Sequence, residues 1–63
     1  MSFEQFHAAV VKEMHALADL GVASPAAKLS TFSNSVILAD IRQYFNDGAS
    51  VSDACDCLID LGA

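Results

Sequence analysis

Ser35-Val36-Ile37-Leu38-Ala39-Asp40-Ile41-Arg42-Gln43-Tyr44-Phe45 is the stretch on which the fold turns. At about 100° per residue, Ile37, Leu38, Ile41, Tyr44 and Phe45 fall on one helical stripe centred on Ile41. The spacing predicts a helix over 35–46, and Asn46-Asp47-Gly48 then stops it with polar residues and a glycine. Apolar side chains lie on more sides of this stretch than one neighbour can cover. It reads as the central packing element of the chain.

Toward the N-terminus, Ser24-Pro25 pairs a capping residue with a proline at the first helical position and predicts a helix over 25–33. Leu29, Phe32 and Val36 line one face of it. On a continuous helix that face would lie about 140° from the Ile41 stripe. Two arrangements explain the offset. One helix can pack on two sides, against its own chain and a partner, or Ser33-Asn34-Ser35 can cap and restart the helix by competing for backbone bonds. The polar triplet favours a break.

The flanking segments are simpler. Ser2 with Gln5 three residues on is a capping-box pattern opening a helix over 3–20. Phe3, Phe6, His7, Val10, Val11, Met14, Leu17 and Ala18 form its apolar face, and Lys12, Glu13, His15 and Asp19 lie outside it. Gly21 is placed for a left-handed cap, with Val22 set to make the accompanying apolar contact. Ser50 and Asp53 repeat the box pattern and open a helix over 51–61, with Val51, Ala54, Cys55, Leu58, Ile59 and Leu61 inward. No stretch shows strand alternation or a hairpin turn. The expectation is a single all-α domain over 1–63, a small bundle of three to four helices over about 3–20, 25–33, 35–46 and 51–61.

A chain of 63 residues that is 54% hydrophobic has more apolar surface than so small an interior readily holds. A homodimer is the expected outlet. Its interface would draw on Phe32, Val36, Ile37, Ile41, Tyr44 and Phe45, a set that the monomer core must share. Aromatic residues in such a set carry disproportionate binding energy.

Net charge is −5, with eight carboxylates against Lys12, Lys28 and Arg42. Three cations neutralise few phosphates, so nucleic acid is an unfavoured partner. The same balance disfavours anionic membrane surfaces. With no secretory leader pattern and only short apolar runs, a cytoplasmic protein with reduced Cys55 and Cys57 is expected, and no membrane partner.

Few residues offer catalytic chemistry. His7 sits within the apolar face, His15 on the polar side, and the glycines fall at helix ends, outside any phosphate-binding loop. No serine or cysteine has a base nearby in sequence. Cys55 and Cys57, two apart, point about 200° from each other on a helix and cannot grip one ion without unwinding it. Cys55 reads as a small core residue and Cys57 as a rim thiol. No enzyme, cofactor or metal site is expected.

Two readings of the surface remain. Leu17 to Ser24 resembles the helix-glycine-helix corner of a helix-turn-helix motif, which makes a DNA-binding regulator the alternative function. The reading helix would, however, expose only Lys28 among Ser30, Thr31, Ser33 and Asn34. Asp53, Asp56 and Asp60, with Asp47 nearby, give the second feature. Residues 46–63 hold four carboxylates and no cation. That stripe serves either solubility or docking to a basic surface on another protein.

From Met1 through Gly62-Ala63, the short, acidic, all-helical format without catalytic motifs resembles the early accessory proteins of lambda-like temperate bacteriophages. The type in question is encoded between the recombination exonuclease and excisionase genes. This resemblance implies a modulator that binds a host protein stoichiometrically in the bacterial cytoplasm. Its influence would fall on host replication, the cell cycle or the lysis–lysogeny choice.

Overall fold

A computed structural model of the chain describes residues 1–25 and 35–62. Helix α1 spans Phe3–Asp19, α2 spans Ser35–Asn46 and α3 spans Val51–Asp60; no strand occurs among the described residues. The chain is all-α. The helix expected over 25–33, with Leu29 and Phe32, lies outside the described residues. So does most of the Ser33-Asn34-Ser35 triplet at which a break is expected.

Local chemistry sets the helix ends. Ser2 is extended at φ −77°, ψ 163°; its hydroxyl accepts from the Gln5 amide at 3.2 Å, and its own amide donates to Gln5 Oε1 at 2.9 Å. Both halves of the capping box are made. Ser50 repeats only the forward half, accepting from the Asp53 amide at 3.1 Å. Asp53 is one methylene shorter than Gln5 and contributes a carboxylate in the first turn, which favours the helix dipole. At the C-terminus of α1 the Val22 amide donates to Leu17 O at 2.9 Å and the Gly21 amide to Ala18 O at 3.1 Å, a Schellman pair. The Gly48 and Ala49 amides close α2 in the same way on Phe45 O and Tyr44 O.

Among the described residues the core consists of Phe6, Val10 and Met14 from α1, Ala23 from the turn after it, Ile41 from α2, and Ala54, Cys55 and Leu58 from α3. Both other helices pack on α1, and α3 does so more extensively than α2. The reading of 35–45 as the central element is therefore corrected: among the described residues α1 is the hub. It is 17 residues long and buries Phe6, Val10 and Met14, where α2 is 12 residues long and sends one fully buried side chain, Ile41, into the core. Phe45 packs against the rings of Phe3 and Phe6, at 5.8 and 5.4 Å between centroids, so the end of α2 lies beside the start of α1. The radius of gyration is 10.2 Å, against about 10.6 Å for an average folded chain of this length.

Three smaller expectations are corrected. Val22 is 57% exposed; Ala23, one residue on, turns inward at 5% and supplies the apolar contact after the cap. Leu61 is 61% exposed, because it is the C-cap of α3 and the helical face ends before it. His15 is half-buried where a solvated side chain is expected, since it borders Val11 and Ala18 at the edge of the stripe.

Candidate functional site

The described residues enclose no pocket, and no group of three or more His, Cys, Asp or Glu among them is arranged to hold a metal ion. The remaining candidates are surfaces.

The first is the outer face of α3. Asp53, Asp56 and Asp60 are all exposed, one helical turn apart, on the side opposite Ala54, Cys55 and Leu58. The expected stripe is a continuous face. None of the three forms an ion pair among the described residues, and the last turn of α3 has no basic residue. Two consequences follow for the helix itself. Like charges at three- and four-residue spacing repel each other. Asp60 also sits at the C-terminal end, where the helix dipole favours a cation. Asp53 alone is placed where its charge helps. Asp47 is not part of this face: its carboxylate accepts from Gln43 Nε2 at 3.0 Å, which ties it to the end of α2.

The second candidate is the expected interface set. Ile41 is 0% exposed and belongs wholly to the monomer core, so it is withdrawn from that set. Its stripe points at α1 and α3, and the fold consumes it. Ile37, Tyr44 and Phe45 are half-buried and pack against the same core, leaving only their outer edges available. Burial pushes the Tyr44 phenol above its usual value, with the charges of Asp40 and Cys57 adding to the effect. Val36 is 67% exposed, on the far side of α2 from Ile41. Phe32 lies outside the described residues. One side of α2 thus faces the core while Val36 faces outward, and the other two residues of its expected stripe, Leu29 and Phe32, lie outside the described residues.

A third cluster has no counterpart in the sequence reading. The Arg42 guanidinium lies 4.0 Å from the centre of the Phe3 ring, and the His7 ring runs parallel to Phe3 at 5.8 Å and 4°. With Phe45 edge-on, these side chains join the start of α1 to the end of α2. The i, i+4 spacing of Phe3 and His7 is visible in the sequence, but the approach of Arg42 depends on how α2 is docked. A cation over a ring face is attracted by its quadrupole, so one of the three basic residues serves packing.

Cys55 is buried, with its thiol directed at Val10 O at 3.9 Å, while Cys57 is exposed on the same helix. The two face apart, as the helical spacing requires. Of the helix-glycine-helix corner, the described residues show the end of α1 and Gly21 at φ +79°. The residues that would read DNA from it, Lys28, Ser30, Thr31, Ser33 and Asn34, lie outside the described residues.

Comparison with protein-family models, with curated proteins and with solved structures finds no match for this chain.

Proposed function

We propose that this chain is a small acidic interaction protein without catalytic activity, which docks the outer face of α3 on a basic surface of another protein. One observation carries the reading: Asp53, Asp56 and Asp60 are exposed and unpaired among the described residues, and although Asp53 suits the first turn, Asp56 and Asp60 repel each other and Asp60 opposes the helix dipole. Repulsion along the face and against the helix dipole is relieved when a cationic surface covers it. Electrostatic complementarity of this kind sets partner choice and association rate more than raw affinity. The resemblance to early proteins of lambda-like phages suggests a bacterial host protein as the target, bound stoichiometrically in the cytoplasm. A homodimer joined through the outward side of α2 is part of the same proposal.

The test is a comparison of the native chain with an Asp56→Lys/Asp60→Lys variant, each immobilised and exposed to bacterial lysate over a range of salt concentrations. The native chain should retain a specific protein at low salt and release it as salt rises, and the variant should not retain it. The variant should also denature no earlier than the native chain, because Asp60→Lys places a cation at the helix C-terminus. Retention unchanged by the reversal sinks the docking proposal. Specific retention of DNA by the native chain would favour the helix-turn-helix alternative.

A further inference from the structure

We draw no further inference here: the strongest candidate, the exposed apolar pair Leu20 and Val22 at the carboxyl end of α1, carries nothing because nothing in the structure shows what covers it.

Discussion

Cys55 and Cys57 stand two residues apart and occupy opposite environments, which makes them a direct probe of the fold. The Cys55 thiol is pushed from 9.0 up to about 11, first by burial and then by the nearby carboxylates of Glu13 and Asp56, all of which disfavour a thiolate. Since the thiolate is the reactive form, Cys55 should be inert in the native protein and Cys57 should react. A thiol reagent should therefore titrate one equivalent under native conditions and two in denaturant. Two equivalents in the native protein would mean that α3 is not docked as described. The same shift has a pH signature. Below pH 9.0 both states hold the proton, and stability does not depend on this group. Between 9.0 and about 11 the unfolded chain loses the proton while the native chain keeps it, so stability falls as pH rises. The denaturant midpoint should decline across that window and do so less steeply in Cys55→Ala. Tyr44, also raised, adds to the decline in the same direction and leaves a residual slope in the variant.

The helix ends were the most legible elements, because their chemistry is satisfied within a few residues of itself. Ser2 and Gln5 meet across three positions whatever the rest of the chain does, and the glycine stops need only their own dihedral angles. Depth of burial is different in kind. Ile41 and Val36 are both apolar residues of α2, and only the docking of α1 and α3 decides that one is fully buried while the other faces out. Leu61 misleads for a related reason, since a helical wheel extended past the last turn assigns a face the chain no longer has. The acidic face was legible because exposed charges on one helix need no neighbour to define them; the Arg42–Phe3 contact was not, because it joins two helices. Gly48 offers a test at this scale. It holds φ +78° in the turn between α2 and α3, and a Cβ added there would meet nothing within 4 Å. Any penalty for Gly48→Ala is then conformational and not steric, about 1–2 kcal/mol for an L-residue in the left-handed region. The 63-residue chain is short enough for total synthesis, which allows D-alanine at the same position. That residue accepts positive φ and restricts the unfolded chain, so it should stabilise by about 0.4–1 kcal/mol. Denaturation midpoints moving in the same direction for the two stereoisomers would contradict the turn geometry.

For the whole molecule the question is how a small core and an apolar composition coexist. A typical stability of roughly 0.05–0.15 kcal/mol per residue gives about 3–9 kcal/mol for a chain of 63 residues. Truncating one fully buried aliphatic side chain costs about 2–5 kcal/mol. Ile41→Ala should therefore remove a large share of the total and leave a chain that unfolds with little denaturant. Val36→Glu changes a residue on the same helix that is 67% exposed, and such surface changes usually alter stability by no more than about 0.5 kcal/mol. The pair separates core from interface. Under the dimer proposal, light scattering after size exclusion should give twice the 6.6 kDa chain mass for the native protein. Val36→Glu should give the single-chain mass with its helical circular dichroism intact, because a charge on the outward side of α2 blocks the partner and leaves the fold alone. A native protein that stays at the single-chain mass at every concentration would remove the dimer and leave α3 docking to stand by itself. A dimer unaffected by Val36→Glu would move the contact off this side of α2. Because Ile41 is sealed inside the monomer, a loss of dimer in Ile41→Ala would report unfolding and not the interface, which makes Val36 the residue that decides the matter.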